Sequence, residues 1–280
     1  MSWPNLFIVG AMKAGTTALH AYLDQHPDIF MCDPKEPSYF SKSSPDQQDT
    51  ERYLALFKAG AGCRYRGESS TQYTKHPTVT NAPARLADAC PEARIIYMIR
   101  EPVARIVSQY LFNRRVHGET RPLREAVAAD PRYRDYGDYA AQIRPYQKRF
   151  GPVMVLQAED LAKAPQAIMD RVCNGLDLPT IRVEQGEQRN RTADALRRHD
   201  VATRVLIRPE LEPLRRVVKA VGAKQLVQSL WDRFNPPAPM PVTDAERAGL
   251  ERDLADWRAE QAHAIAPLLD GRPLAWNTNV

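Results

Sequence analysis

The sequence of 280 residues lacks the features that mark several protein classes. Its four cysteines are far apart, with no C-x-x-C pair and no Cys/His cluster, which argues against a disulfide framework and a zinc site. No apolar run is long enough to cross a membrane. The N-terminus has no basic segment followed by an apolar one, as a secretory signal would. We therefore expect reduced thiols and a cytoplasmic protein without a transmembrane segment.

The remaining composition is that of an ordinary globular protein. Apolar residues make up 43% and charged residues 26% of the chain, and the formal net charge is +5. This mild excess of positive charge suits polyanionic small molecules without identifying one. The length suits one large α/β domain or two small ones. We expect a single domain over residues 1–280, with its core at about 5–178 and a helical C-terminal portion at about 184–280.

An apolar run followed by a glycine-punctuated turn stands near the start, at 6–17 (LFIVGAMKAGTT). An amphipathic segment comes next, so the order is strand, phosphate loop and helix. The glycines allow a sharp turn and a close approach of a ligand, and the N–H groups at the helix start attract an anion. The candidate anion-binding residues are Lys13, Ala14, Gly15, Thr16 and Thr17.

The loop differs from the Walker A sequence of P-loop kinases. That pattern ends in Gly-Lys-Ser/Thr, whereas Lys13 precedes the second glycine of this loop. A P-loop kinase acting on a small metabolite is therefore an alternative that the position of the lysine disfavours. No aspartate ends an apolar strand in the way that would hold Mg²⁺ in such a kinase.

Strands and helices alternate along the chain, which predicts a parallel sheet covered by helices on both faces. The fold class is α/β, a P-loop-type three-layer sandwich with a central parallel sheet flanked by helices, plus C-terminal helices. Strands are predicted at 6–10, 27–32, 64–70, 93–99 and 152–156. Helices are predicted to follow the loop and at 51–58, 78–89, 102–111, 123–129, 139–150, 158–176, 211–234 and 244–269.

Polar side chains follow three of the predicted strands. Lys13 follows the first, Glu68 ends the third, and Arg100 follows the fourth, with Ser108 two turns into the next helix. Ligands of open α/β sheets bind beyond the carboxyl ends of the strands. The two cations and the hydroxyls can therefore bind a ligand with phosphates at two places, and the carboxylate can accept a proton.

The segment 99–110 (IREPVARIVSQY) resembles the motif with which sulfotransferases hold the 3′-phosphate of their donor, 3′-phosphoadenosine 5′-phosphosulfate (PAPS). Arg100 and Ser108 match the two phosphate ligands of that motif. The loop around Lys13 resembles the 5′-phosphosulfate loop of the same family. Shorter resemblances extend the match over roughly residues 5–178, at 35–40 (KEPSYF), 67–70 (GESS), 137–139 (GDY) and 157–161 (QAEDL).

The resemblance is to the bacterial and heparan-type carbohydrate branch of the family. It implies in-line transfer of a sulfuryl group from PAPS, without a metal ion, to a hydroxyl or amine of a carbohydrate or a glycosylated or small natural product. The product of the donor would be the 3′,5′-bisphosphate, PAP. In this interpretation Lys13 stabilises the leaving phosphate, and Lys35 and Glu36 are candidate acceptor-binding residues.

Two glutamates are candidates for the catalytic base. Glu68 falls where the resemblance implies a catalytic glutamate, in place of the histidine base of the cytosolic aryl sulfotransferases. The alternative is a structural carboxylate paired with Arg64 or Arg66, in which case Glu36 is the next candidate base.

The C-terminal third departs from the family pattern. The glycine-rich loop beginning Arg-Lys-Gly, which closes the 3′-phosphate site in many members, is missing; residues 189–191 (RNR) either replace it or form a solvated polar loop. The basic helix predicted at 211–234 supports a further alternative, a non-enzymatic protein that binds nucleotides or nucleic acid. Such a helix is also compatible with a solvated face, an acidic lipid surface or a homodimer contact. We expect no nucleic-acid partner.

Overall fold

Five parallel strands form one sheet in the computed structural model, which describes residues 3–184 and 242–276. The strands are β1 (Leu6–Gly10), β2 (Ile29–Met31), β3 (Tyr65–Ser69), β4 (Arg94–Ile99) and β5 (Met154–Gln157). Their order across the sheet is β2-β3-β1-β4-β5, and every pairing is parallel. The predicted strand positions and the predicted parallel sheet are confirmed.

The central strand β1 is buried along its whole length and pairs with β3 on one side and β4 on the other. Leu6 lies opposite Gly67 of β3 and Arg94 of β4. The strands end together at one edge of the sheet because they run in the same direction. Burial on both faces explains why β1 and β4 appear in the sequence as apolar runs rather than as an alternating pattern.

Helices cover the sheet and extend beyond it. They are α1 (Thr16–Leu23), α2 (Gln47–Ala55), α3 (Ala82–Ala89), α4 (Pro102–His117), α5 (Leu123–Ala129), α6 (Arg132–Asp135), α7 (Tyr139–Phe150), α8 (Ala158–Lys163), α9 (Pro165–Gly175), α10 (Asp244–Asp253) and α11 (Ala255–Ile265). Short 3₁₀ helices stand at Tyr39–Ser41, Lys58–Gly60, Thr71–Thr74 and Ala266–Leu269. No helix of the described ranges is both long and apolar enough to span a bilayer.

Several predicted helix boundaries are wrong for local reasons. The helix predicted at 158–176 is two helices, because Ala164 precedes a proline and adopts a non-helical conformation (φ −142°). The helix predicted at 244–269 is interrupted at Leu254. Helix α2 begins earlier than predicted, since the side chain of Asp46 caps it by accepting from the N–H of Asp49.

Two groups of buried apolar side chains hold the structure together. The larger surrounds the sheet, and the smaller lies between α4, α5 and the segment that begins at Val242. Leu250 and Leu254 of the C-terminal segment pack into the smaller group, and Arg258 forms an ion pair of 2.8 Å with Glu101 at the start of α4. The basic helix predicted at 211–234 and the Arg189–Arg191 segment lie outside the described residues.

Candidate active site

The loop between β1 and α1 is shaped to leave the start of α1 open. Gly15, the N-cap residue of α1, has a φ of 84°, and Lys13 also lies in the left-handed region with a φ of 67°. In the described ranges, no side chain caps this helix start. The N–H groups of Thr16 and Thr17 are therefore positioned to receive an anion. Thr16 is buried, whereas Thr17 is exposed.

Gly10 allows a second segment to close over the end of β1. A Cβ atom at this position would lie 1.9 Å from Oγ1 of Thr74, which donates a hydrogen bond of 2.8 Å to the carbonyl of Val9. Only glycine permits this contact without displacing the 3₁₀ helix Thr71–Thr74. The contact brings the segment after β3 against the phosphate loop.

Lys13 lies among cations and an aromatic ring. Its ammonium is 5.1 Å from the ring centroid of Phe112, and its carbonyl accepts a hydrogen bond of 3.2 Å from Nη1 of Arg100. Burial lowers the pKa of Lys13, and the positive charges of Arg115 and Arg100 lower it further. An anion bound here would relieve the mutual repulsion of these cations.

Arg100 approaches the loop from the end of β4, and Ser108 approaches it from α4. Arg100 directly follows β4, and its backbone N–H and carbonyl both bond to the hydroxyl of Tyr139. Ser108 is buried on α4, one turn before Phe112. Residues four apart share a face of a helix, so Ser108 lies on the side of α4 that faces Lys13. The structure therefore brings Lys13, Arg100 and Ser108 to the same edge of the sheet.

Glu68 is not exposed to the cleft. It is fully buried, and its Oε1 accepts hydrogen bonds from the hydroxyls of Tyr53 (2.6 Å) and Tyr73 (2.8 Å), while Oε2 accepts one of 2.7 Å from Ser70. Burial raises the pKa of Glu68 to about 7, although the three hydroxyl groups act in the opposite direction. An acceptor molecule in the cleft has no access to this carboxylate.

The alternative pairing of Glu68 with an arginine is wrong. Arg64 donates to the carbonyl of Asp177 (2.6 Å), and Arg66 donates to the carbonyl of Cys63 (3.2 Å). The β3 strand directs Glu68 into the apolar core beside the tyrosines, whereas both arginines lie at its start.

Glu36, in contrast, is exposed, with 39% of its side-chain surface accessible. Its Oε1 pairs with Nζ of Lys35 at 2.8 Å, and its Oε2 accepts a hydrogen bond of 3.2 Å from Thr71. The negative charge of Glu36 raises the pKa values of both Lys13 and Lys75, each of which burial lowers more strongly. Glu36 thus faces the same cleft as the lysine of the phosphate loop.

A polar cavity of about 510 Å³ adjoins the phosphate loop at Met12. Two ion pairs, Glu119–Arg121 and Asp130–Arg132, lie in its wall. The ammonium of Lys75 also faces the cavity and lies 5.7 Å from the ring centroid of Tyr136. In the described part of the chain, Lys75 has no hydrogen-bonding partner for its ammonium.

Sequence reasoning missed the residues that line this cavity. Gln109, Asn113 and His117 form a polar stripe along α4 at intervals of four residues, which was the available signal. Lys75 and Tyr136 carried no signal, because only the tertiary structure brings them together. His20, which no motif marked, lies 2.9 Å from Oγ of Ser69 through Nδ1, and burial lowers its pKa to about 4, so its ring is neutral.

The structural environment offers no candidate metal centre within residues 3–184 and 242–276, where no group of three or more His, Cys, Asp or Glu side chains could hold an ion.

Comparison with known proteins gives a consistent result. A model described as the sulfotransferase family matches residues 4–61 and 39–182. A sulfotransferase of known crystal structure, from Alicyclobacillus acidocaldarius, aligns over 98% of this chain and 98% of its own, with a TM-score of 0.67 and 27% identity.

Two relatives illustrate the sequence similarity. Heparan sulfate glucosamine 3-O-sulfotransferase 3B1 of Mus musculus is 27% identical over 190 residues, which is 64% of this chain and 47% of the relative. The membrane-associated sulfotransferase kil1 of Dictyostelium discoideum is 34% identical over 113 residues, which is 39% of this chain and 23% of the relative. The chain thus spans less than half the length of these relatives.

The raised pKa of Glu68 predicts a pH-dependent stability. The folded protein holds the Glu68 proton up to about pH 7, while an unfolded glutamate releases it near 4.5, so the free energy of unfolding decreases as the pH rises through this window. Urea titrations should give the free energy of unfolding of the wild type and of Glu68→Gln. The difference between these two free energies should change by about 3 kcal/mol between pH 4.5 and pH 8. A difference independent of pH would contradict the raised pKa.

Proposed function

The chain belongs to the sulfotransferase family, and on that premise we propose that it transfers a sulfuryl group from PAPS to a hydroxyl or amine of a carbohydrate-like acceptor. One observation carries the proposal. Lys13, Arg100 and the open start of α1 meet at one edge of the sheet, and a solvent-accessible carboxylate, Glu36, faces them. The family match favours sulfuryl transfer over the kinase alternative, and PAPS as the donor follows from the resemblance of the two phosphate motifs.

The donor site in this proposal has two phosphate-binding parts. When bound, PAPS supplies an activated sulfuryl group and a bisphosphate leaving group. Lys13 and the N–H groups and hydroxyls of Thr16 and Thr17 hold the 5′-phosphate, and Arg100 and Ser108 hold the 3′-phosphate. The lowered pKa of Lys13 and the link from Arg100 to the Lys13 carbonyl support this arrangement, because both indicate cations held close together in place for an anion.

The ammonium of Lys13 stabilises the negative charge that grows on the leaving phosphate during transfer. Preorganised donors act most strongly in a site that excludes water, and a half-buried lysine with a cation-π contact is such a donor. The left-handed backbone of Lys13 fixes where its side chain begins.

We propose Glu36, rather than Glu68, as the general base. A base must lie within hydrogen-bonding reach of the acceptor proton, and the Glu68 carboxylate is surrounded by protein hydroxyls. Glu36 is exposed, and its oxygens are oriented by Lys35 and Thr71. Lys35 then also contributes positive charge beside the acceptor, in line with its predicted role in acceptor binding.

The cavity beside Met12 is our candidate for the acceptor site. Its wall offers amide groups that are only partly used: Oε1 of Gln109 accepts from Arg105, and Nδ2 of Asn113 donates to Tyr133. The other amide atoms of these two residues suit the hydroxyls of a sugar. A carbohydrate acceptor is supported by the name of the mouse relative, a heparan sulfate glucosamine 3-O-sulfotransferase.

The donor assignment predicts a preference for a 3′-phosphate. Calorimetry should show that PAP binds without Mg²⁺ and more tightly than ATP, because Arg100 and Ser108 form the second phosphate site. Arg100→Ala should weaken PAP binding roughly 10- to 100-fold and leave adenosine 5′-phosphate almost unaffected. Arg94→Ala, on the exposed opposite end of β4, is the matched control. Equal affinities for PAP and adenosine 5′-phosphate in the wild type would contradict the assignment.

The role of Lys13 predicts a loss of rate. Lys13→Ala should lower kcat roughly 10²- to 10³-fold, because it removes one preorganised donor to the leaving phosphate. Alanine and lysine tolerate the left-handed backbone of this position equally, so the fold should be retained. Lys42→Ala, which removes an exposed lysine, is the control. A variant that keeps a third or more of the wild-type kcat would show that Lys13 is not the leaving-group donor.

The assignment of the base predicts chemical rescue at one glutamate only. Glu36→Ala should bind PAP normally and turn over roughly 10²- to 10⁴-fold more slowly, because the acceptor proton has no recipient. Added formate should restore part of this rate, since the vacated position is open to solvent. The matched variant Glu68→Ala should not respond to formate, because its position is buried. Normal turnover of Glu36→Ala would show that Glu36 is not the general base.

A further inference from the structure

The segment 36–40, which carries Glu36, is attached to the segment 69–73 by a regular set of hydrogen bonds. The N–H of Glu36 donates to the carbonyl of Ser69 at 3.1 Å. The N–H of Ser38 donates to the hydroxyl of Ser70 at 3.0 Å, and the N–H of Phe40 donates to the hydroxyl of Tyr73 at 3.2 Å. Alternate N–H groups of one segment are thus bound by the other, and two of the three acceptors are hydroxyls.

These two hydroxyls can accept only while their own protons point elsewhere. A hydroxyl has one proton to donate, and Ser70 and Tyr73 both donate theirs to Glu68, at 2.7 and 2.8 Å. Above the pKa of about 7, the carboxylate of Glu68 is ionised and is an acceptor only, so it determines the direction of both protons. The lone pairs of Ser70 and Tyr73 consequently face the N–H groups of Ser38 and Phe40.

The attached segment has a backbone that needs such support. Glu36 and Ser38 have φ values of 64° and 53°, in the left-handed region that residues other than glycine seldom adopt. A segment with two such residues keeps this conformation only where the surrounding structure holds it. The hydrogen bonds donated by the N–H groups of Glu36, Ser38 and Phe40 hold this stretch at its two ends and at its middle.

We propose that Glu68 is a positioning residue, whose buried carboxylate orients Ser70 and Tyr73 to hold the segment 36–40 and thereby places the Glu36 carboxylate in the cleft. The proposal rests on the proposed function, in which Glu36 is the base. It gives the buried glutamate a role in turnover without contact with the acceptor.

Tyr53 provides an internal control within the same cluster. Its hydroxyl donates to Glu68 at 2.6 Å, as those of Ser70 and Tyr73 do. It accepts no hydrogen bond from an N–H group of the segment 36–40 among the described residues. Removing the Tyr53 hydroxyl therefore takes one donor from Glu68 and leaves both links to the segment in place.

The test compares Ser70→Ala, Tyr73→Phe and Glu68→Gln with Tyr53→Phe in the full chain at pH 8.5. Amide hydrogen exchange should accelerate at Ser38 in Ser70→Ala and at Phe40 in Tyr73→Phe, roughly tenfold or more. Glu68→Gln should accelerate at least one of the two amides, because the glutamine N–H₂ group turns one of the hydroxyl protons toward the segment. Tyr53→Phe should change neither amide by more than about twofold.

Turnover provides the second readout. In Glu68→Gln, kcat should fall at least roughly tenfold while KM for PAPS stays within about twofold, because a small displacement of the base slows the chemical step and leaves donor binding intact. Ser70→Ala should show the same pattern to a lesser degree. If Glu68→Gln does not fold, amide exchange at Ser38 and kcat in Ser70→Ala decide whether the attachment of the segment 36–40 supports turnover.

The outcomes separate this proposal from the proposed function. Unchanged exchange at Ser38 and Phe40 in all three variants would overturn the positioning role, as would wild-type kcat in Glu68→Gln when Glu36→Ala is impaired. Normal turnover of Glu36→Ala would instead overturn the assignment of the base. Accelerated exchange at Ser38 and Phe40 together with a lower kcat and an unchanged KM is the result that supports Glu68 as a positioning residue.

Discussion

The structure depends on holding several cations close together at the end of its central strand. Burial and the positive charges of Arg115 and Arg100 lower the pKa of Lys13, and among the described residues the exposed carboxylate of Glu36 acts on it in the opposite direction. Such an arrangement is costly unless an anion completes it, and the open start of α1 adds further positive potential at the same point. The central position of β1, the close contact at Gly10 and the left-handed turn at Gly15 all serve to keep these groups together.

Two glutamates at this edge of the sheet illustrate how burial divides chemical roles between identical side chains. Both lie on segments that follow or end neighbouring strands, β2 and β3. Glu68 is enclosed by three hydroxyl donors and acts on the protein itself. Glu36 keeps an accessible carboxylate that a ligand can reach. Proton transfer to a carboxylate needs contact, so accessibility decides which of the two is the candidate base.

The parts of this arrangement that the sequence predicts are those encoded locally. Strands β1 and β4 are nearly continuous apolar runs, and the turn after β1 carries its glycines and lysine within a few residues, so the sequence predicts both. The sequence does not predict the burial of Glu68. This burial results from Tyr53 and Tyr73, which come from different elements and meet only in the folded chain. The sequence does not predict the cavity for the same reason. Lys75 and Tyr136 are distant in sequence and come into contact only where α6 ends beside the segment that follows β3.

One short stretch, residues 68–75, connects the three parts of the candidate active site. Glu68 and Ser70 hold the segment that carries Glu36, and Thr71 donates directly to the Glu36 carboxylate. Thr74 fastens the end of β1 from which the phosphate loop leaves, and Lys75 faces the cavity. Strand β3 is paired in a fixed register with β1. The phosphate loop, the candidate base and the candidate acceptor site are therefore all held relative to the same pair of strands. The in-line transfer that we propose requires a fixed geometry among these three parts, and their attachment to one continuous piece of backbone is suited to it.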